Sequence, residues 1–371
     1  MSSPGQTPRR TPLHAVHESL GATFTEFAGW QMPVRYSSDT AEHNAVRSSA
    51  GLFDLTHMGE ILISGPQAAE ALDYALVANA SAITPGRARY TMICDETGGV
   101  LDDLIVYRLA DQEFLVVANA ANAAVVSAEL AERVSGFDAK HADVSDDYAL
   151  IAVQGPNAVA ILAPLTDTDL STVKYYAGYP ATVAGKDVLL ARTGYTGEDG
   201  FELFTSPGDA EAVWQALTES GAAHDLQPAG LSCRDTLRLE AGMPLYGNEL
   251  SAELTPYHAN LGRVVKLDKD ADFVGRSALA AVAEKPTERT LVGLSTDQRR
   301  APRHGYRVLD ADGAEVGEVT SGAPSPTLGH PIGMAYVDRE HSEPGTALQV
   351  DIRGRNVAVQ VVELPFYRRN A

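Results

Sequence analysis

Apolar and polar positions along the chain follow two rhythms, and the change comes near Pro286. Before it, short strand-like runs alternate with Ala-rich stretches of helical period. Residues 66–78 have helical spacing, with Gly65 ahead and Pro66 in the first turn. Residues 119–134 are spaced by Ala, Val and Leu in the same way and stop before Gly136. Between them, 88–94 and 100–109 read as strands joined by Asp95-Glu96-Thr97-Gly98-Gly99, a hairpin turn whose glycines tolerate positive φ. From Tyr148 the pattern comes round loosely again, with a strand at 149–153 and a helix at 157–162. A further helix carries Trp214 and Leu217, with Ser206 as its expected cap and Gly221 as its end. In the next, 231–241, Cys233, Leu237 and Ala241 recur every four residues and draw an apolar stripe.

Beyond a boundary at Glu284-Lys285-Pro286-Thr287 the strands are short: 291–294, 306–309, 315–320, 333–337, 348–352 and 357–363. Turns such as Asp310-Ala311-Asp312-Gly313 and Arg353-Gly354-Arg355-Asn356 separate them, which predicts a compact all-β unit, a small barrel or sandwich. The whole is expected to be α+β rather than a doubly wound parallel sheet. Three regions follow: a flexible leader over 1–11, an α+β region over 12–285 and the β unit over 286–371.

Composition narrows the partners. Lys and Arg total 29 against 49 Asp and Glu, a net charge of −20 over 371 residues, so nucleic acid and anionic membrane surfaces are repelled by the average field. A small anion can still bind where a few arginines reverse the local potential. The two cysteines, Cys94 and Cys233, form neither a disulfide framework nor a zinc pattern and read as buried side chains of a cytoplasmic protein. No apolar run reaches the roughly 18 residues a membrane helix needs, and the first eleven residues do not resemble a signal peptide.

Common catalytic motifs are missing. Gly185-Lys186-Asp187 is not a phosphate loop, no Gly-x-Gly-x-x-Gly follows a strand, and Gly-x-Ser-x-Gly is absent. His14 and His17 lie one helical turn apart without a third ligand nearby, so no metal is expected. Three constellations remain. Asp102-Asp103 begins a strand, so one carboxylate can face a cleft while its neighbour faces the other way; equally, both can cap the hairpin. Residues 192–202 carry three glycines at intervals of three, with Tyr195 as a flat face and Glu202 as a two-oxygen acceptor. In the helix at 231–241, Arg234 and Arg238 share a face; either they recognise a polar ring or carboxylate, or Arg238 forms a surface pair with Asp235.

Seven ordered blocks resemble the T-protein family of the glycine cleavage system, the tetrahydrofolate-dependent aminomethyltransferases. They are Phe27-Ala28-Gly29-Trp30-Gln31-Met32-Pro33, the block from Gly51 to Glu60, Gly98-Gly99-Val100-Leu101-Asp102-Asp103, the block from Arg192 to Glu202, the block from Arg234 to Gly242, the block from Thr320 to Gly329, and Pro365-Phe366-Tyr367. The resemblance implies three subdomains in a cloverleaf around a central folate channel, two of them interleaved α+β subdomains and the last a β-barrel. It implies tetrahydrofolate as co-substrate, no metal or nucleotide, and the aminomethylated lipoyl H-protein as partner, with a monomer or weak dimer. It implies Asp103 as the catalytic carboxylate, Glu202 at the pterin edge, Tyr195 beside the ring, and Arg234 and Tyr367 at the folate. Met58, Tyr90, Tyr107 and Asn119 are implied as further lining positions, with Met243 near the pocket. Folate-dependent demethylases of this fold carry a flavin domain for which this chain has no motif. The iron–sulfur assembly relatives carry a cysteine that the aligned Arg192-Thr193-Gly194-Tyr195 lacks. A non-enzymatic folate-binding module is the alternative of another class.

Overall fold

A computed structural model describes residues 7–369, which divide into two compact units. The first comprises 7–75, 79–91 and 104–234; the second comprises 76–78, 92–103 and 235–369.

The first unit opens with helix α1 (His14–Ser19) and a hairpin of β1 (Thr23–Phe27) and β2 (Trp30–Arg35). Of the leader expected over 1–11, residues 1–6 lie outside the described residues. Arg9 exchanges backbone hydrogen bonds with Gly29 and Gln31, its guanidinium lies 4.0 Å over Trp30, and Thr11 is buried. Then come α2 (Asp39–Ser48), β3 (Gly51–Asp54), β4 (Gly59–Ser64), α3 (Ala68–Ala75), β5 (Ala88–Cys94), β6 (Val100–Ala110), β7 (Glu113–Ala118), α4 (Ala123–Val134) and β8 (Lys140–Asp143), with the end of β5 and the start of β6 counted in the second unit. The later part holds β9 (Ala149–Gln154), α5 (Ala158–Leu162), β10 (Gly178–Val183), β11 (Lys186–Ala191), β12 (Gly200–Thr205), α6 (Ala210–Gly221), β13 (Gln227–Pro228) and α7 (Leu231–Glu240), whose last turns pass into the second unit.

Two sheets organise these elements. One runs β10-β11-β12-β9-β3-β13, antiparallel except for the short β3–β13 pair; the other runs β5-β6-β7-β4-β8. The first sheet packs Leu52, Ile151, Val153, Phe201 and Leu203 against Trp214 and Leu217 of α6, the amphipathic contact that the helical period of 210–221 predicts. Three helices are shorter than expected; the one expected over 119–134, α4, begins only at Ala123. Helix α3 covers only Ala68–Ala75, because Val77 leaves the helical pattern to donate to the Met92 carbonyl at 3.1 Å. Ser206 does not cap α6: its hydroxyl donates to Asp209 at 2.8 Å, and the helix starts three residues later than a Ser206 cap requires, with Asp209 at its N-cap.

In the second unit, α8 (Arg276–Ala283) precedes β14 (Arg289–Ser295), β15 (Arg307–Leu309), β16 (Glu315–Pro324), β17 (Pro331–Asp338), β18 (Ala347–Asp351) and β19 (Asn356–Val362). They close an antiparallel barrel in the order β14-β17-β16-β15-β18-β19, with β19 back on β14. Val292, Leu294, Val308, Val319, Val337, Val350 and Val361 fill its interior. The fold is α+β with a C-terminal barrel, as the change of rhythm near Pro286 predicts. Both cysteines are buried.

Candidate active site

Loop 192–199 joins β11 to β12 and is pinned from both sides. Arg192 grips Asp199 with a two-pronged pair (3.0 and 2.5 Å) and donates to the carbonyls of Leu170 and Val173. Gln154, at the end of β9, donates from its amide nitrogen to the Thr193 carbonyl (2.9 Å) and accepts from the Thr196 hydroxyl (3.0 Å). That amide fills the space beside Gly194, where a Cβ would stand 2.0 Å from its oxygen. The glycine is therefore required by a close approach.

Held this way, the loop presents Thr193 and Tyr195. In β12, Phe201 and Leu203 face the core, so the strand period turns Glu202 the other way. The Thr193 hydroxyl donates to Glu202 Oε2, and the Tyr107 hydroxyl lies 2.8 Å from Thr193 Oγ1 and 3.5 Å from Glu202 Oε2. Burial pushes the Glu202 carboxyl up from its ordinary value; the Thr193 hydrogen bond, the Arg234 charge and the Tyr107 hydroxyl pull the other way.

Arg234 stands in the first turns of α7. The Gly230 amide at the start of that helix donates to Glu42 Oε2 at 2.9 Å, which ties the helix start to α2. The guanidinium carbon of Arg234 lies 4.6 Å over the Tyr195 ring. Together, Tyr195, Thr196, Glu202, Arg234 and Gln154 line a narrow recess with Phe53, Leu55 and Ala152. Behind it His57 is buried, and burial with the nearby Arg234 charge holds its imidazole down to about 3, hence neutral. The arrangement offers an anionic acceptor, a flat aromatic face and a stacked planar cation within one recess.

Four expected residues, Glu202, Tyr195, Arg234 and Tyr107, are thus brought together; Tyr107 is buried and acts on Glu202 and Thr193 by its hydroxyl. Met58 lines a separate groove of about 730 Å³ with His57, Trp30 and Arg9. Tyr90 lies on β5 and Asn119 directly after β7, both half-buried.

The remaining two belong to the second unit. Along β6, Val100, Asp102 and Leu104 are buried while Leu101 and Asp103 take the opposite, partly exposed face. The hairpin is capped by Asp95, whose Oδ1 accepts from the Thr97 amide (2.8 Å), the Thr97 hydroxyl (2.7 Å) and the Gly99 amide (3.0 Å). The described cap of this turn is thus Asp95. Asp102 and Asp103 both act electrostatically on Tyr246, whose hydroxyl is pushed up first by burial and then by Asp102, Glu253, Asp103 and Asp95. Tyr367 is half-buried, its amide donating to the Glu240 carbonyl at 2.8 Å, and Met243 donates to the Arg238 carbonyl at 2.9 Å.

Arg238 corrects the surface-pair expectation. It meets Asp235 at 2.8 Å but is only 1% exposed, and it also holds Glu249 at 3.0 Å and Ser321 Oγ at 2.8 Å. His17, considered above as half of a metal pair, bonds Asp54 and Tyr36 at 2.9 Å each. Among the described residues no cluster of three or more His, Cys, Asp or Glu could hold a metal, and no helix is long and apolar enough to cross a membrane.

Sequence reasoning missed Thr193, Gln154 and Glu249. Gln154 carried a signal, as the polar end of the otherwise apolar strand at 149–153. Thr193 sat inside a block already singled out, hidden by its glycines.

Comparison with known proteins covers both units. The GCVT N-terminal domain family matches residues 13–269, and the glycine cleavage T-protein C-terminal barrel domain matches 289–368. An aminomethyltransferase of Saccharopolyspora erythraea is 83% identical over 98% of this chain and all of its own length. The Bacillus subtilis aminomethyltransferase is 45% identical over 97% of this chain and 99% of its own. The crystal structure of glycine cleavage system aminomethyltransferase T from Bartonella henselae superposes with a TM-score of 0.91 at 38% identity, covering 97% of this chain and 98% of that one. With two matching domains in order and full-length relatives at this identity, the chain belongs to the glycine cleavage T-protein family of aminomethyltransferases.

Proposed function

We propose that this chain transfers the methylene of the aminomethyl group on the lipoyl arm of H-protein to tetrahydrofolate. Ammonia, 5,10-methylenetetrahydrofolate and dihydrolipoyl H-protein are the products. In the balance, two carbon–nitrogen bonds to folate replace the carbon–sulfur and carbon–nitrogen bonds of the aminomethyl thioether. The two hydrogens lost from the folate nitrogens end on the thiol and on ammonia.

The carrying observation is the recess in which Glu202 faces the stacked pair Arg234–Tyr195. A pterin has neighbouring N–H donors on one edge and a flat π face, and this recess supplies an acceptor for the first and a planar partner for the second. Asp103, on the more exposed face of β6, supplies the carboxylate. A carboxylate there stabilises a developing iminium-like cation and orients or accepts a proton. Met58, from its separate groove, and Tyr90, Asn119 and Tyr367 are carried as folate contacts by the family resemblance alone, with the catalytic region over 12–285 and the barrel domain over 286–371.

For an acidic partner, the exposed Arg299, Arg300 and Arg303 between β14 and β15 supply local positive potential. Their loop is seated on the barrel by buried Pro302, which packs beside Gly322 and Gly333, and by the Arg303 bond to the Gly322 carbonyl at 3.0 Å.

The test is ammonia release from aminomethylated H-protein with and without tetrahydrofolate. Folate-dependent release is expected. Folate binding without any release would make the chain a binding module only.

A further inference from the structure

The hydroxyl pair behind Glu202 has a direction. Thr193 has one hydroxyl hydrogen, and it goes to Glu202 Oε2. The 2.8 Å contact between Tyr107 and Thr193 must then be a bond donated by tyrosine, which gives the chain Tyr107 O–H to Thr193 O–H to Glu202. The direct Tyr107–Glu202 contact, at 3.5 Å, is too long to contribute much. Thr193 is 1% exposed, and its backbone is fixed through the Gln154 amide. Both described hydrogen bonds to the carboxylate end on Oε2, which leaves Oε1 as the acceptor for a ligand edge.

We propose that Thr193, clamped by Gln154 and fed by Tyr107, is the positioning residue that aims Glu202 and keeps it ionised for the pterin edge. The inference rests on the placement of Glu202 at the folate given above. An ionised carboxylate accepts from two adjacent N–H groups, whereas a protonated one presents a donor against them. The groups acting on Glu202 are Thr193, Arg234, which is stacked on Tyr195, and Tyr107. Burial alone would favour the neutral acid. Thr193 and Arg234 are the two largest influences opposing it, and of these only Thr193 also fixes the direction of an oxygen.

The experiment compares Thr193→Val, Thr193→Ser, Tyr107→Phe and Glu202→Gln in the full chain. Tetrahydrofolate affinity is titrated between pH 5 and 8, and kcat is measured at saturating folate. Thr193→Val keeps the shape and loses the hydroxyl. It is expected to weaken folate binding by roughly tenfold or more, in line with a hydrogen bond to a charged group. It should also move the pH below which binding is lost upward, because a bond favouring the charged form is gone, while kcat at saturation changes little. Thr193→Ser should restore both affinity and pH profile, and Tyr107→Phe should give a smaller shift in the same direction. Titration of the ligand itself cancels in the comparison with the parent. If Glu202→Gln weakens binding while Thr193→Val matches the parent in affinity and pH profile, the positioning role is overturned and the placement of Glu202 stands. If Glu202→Gln also binds like the parent, both are overturned.

Discussion

The guanidinium of Arg234 lies 4.6 Å above the ring of Tyr195, so a planar cation covers an aromatic face inside the recess that holds Glu202. Lysine in its place keeps the charge acting on Glu202 and loses the flat stack. Arg234→Lys is expected to weaken tetrahydrofolate binding by about fivefold, the equivalent of a cation–π contribution of roughly 1 kcal/mol. Equal affinities by fluorescence titration would show that the charge alone matters.

The two aspartates of β6 face opposite ways, with Asp102 buried among Val100 and Leu104 and Asp103 on the more open side. Asp103→Asn should lower kcat by about a hundredfold or more, the scale of a lost acid–base or electrostatic group, with folate binding retained. Asp102→Asn should cost less activity. Comparable losses in a steady-state assay of the two variants would refute the assignment of the reaction to Asp103.

Arg238 and Glu249 form an ion pair at 3.0 Å with both side chains buried. Removing the cation strands a buried carboxylate, so Arg238→Met should lower unfolding free energy by about 3–5 kcal/mol. Adding Glu249→Gln should return part of that. A chemical denaturation series in which the double variant is no better than the single one would contradict this account.

His57 carries a pH dependence of stability. Its folded value is about 3, against an ordinary 6.5. Above pH 6.5 neither state takes the proton and His57 contributes no slope. As pH falls from 6.5 towards 3, the unfolded chain binds one proton that the folded chain refuses. Stability then declines by ~1.4 kcal/mol per pH unit from this residue. His57→Asn should remove that increment of slope between pH 6 and 4, read as the difference between parent and variant denaturation curves. Parallel curves would mean that His57 protonates without cost in the fold.

The arginines at 299, 300 and 303 are exposed. Arg300→Glu with Arg303→Glu should raise the apparent KM for H-protein at low salt, leave folate affinity unchanged, and flatten the salt dependence. Steering of this kind is screened over a Debye length of about 8 Å at physiological strength. An unchanged KM at low salt would place the docking surface elsewhere.

Much of this architecture can be read in the chain, for reasons specific to each element. Strand β6 announces itself as an apolar run behind the Gly98-Gly99 turn, and the alternation of side chains along any strand sends Asp102 and Asp103 to opposite faces. The barrel strands are bounded by turn residues, and each lies within a few residues of its expected place. Of the recess, Glu202 was legible as an acid set among glycines, whereas the spacing of Arg234 and Arg238 left a surface-pair face equally open. The site was not legible where the decisive fact is distance in space. Arg238 and Asp235 form a helix pair by spacing, yet what buries Arg238 is Glu249 and Ser321, the latter 83 residues away. Gln154 meets Thr193 across 39 residues, and local patterning carries no information on such a contact.

Gly99 sits where a Cβ would lie 1.9 Å from the Ala252 carbonyl oxygen, and the next residue, Val100, donates to Ser251 and Leu254. That fit sets the phase in which β6 begins. A strand shifted by one residue exchanges its two faces, so here it would trade Asp103 for Asp102. Which of two adjacent, chemically identical acids takes the open face of the strand is therefore decided upstream of both, by a residue that needs no side chain to make the choice.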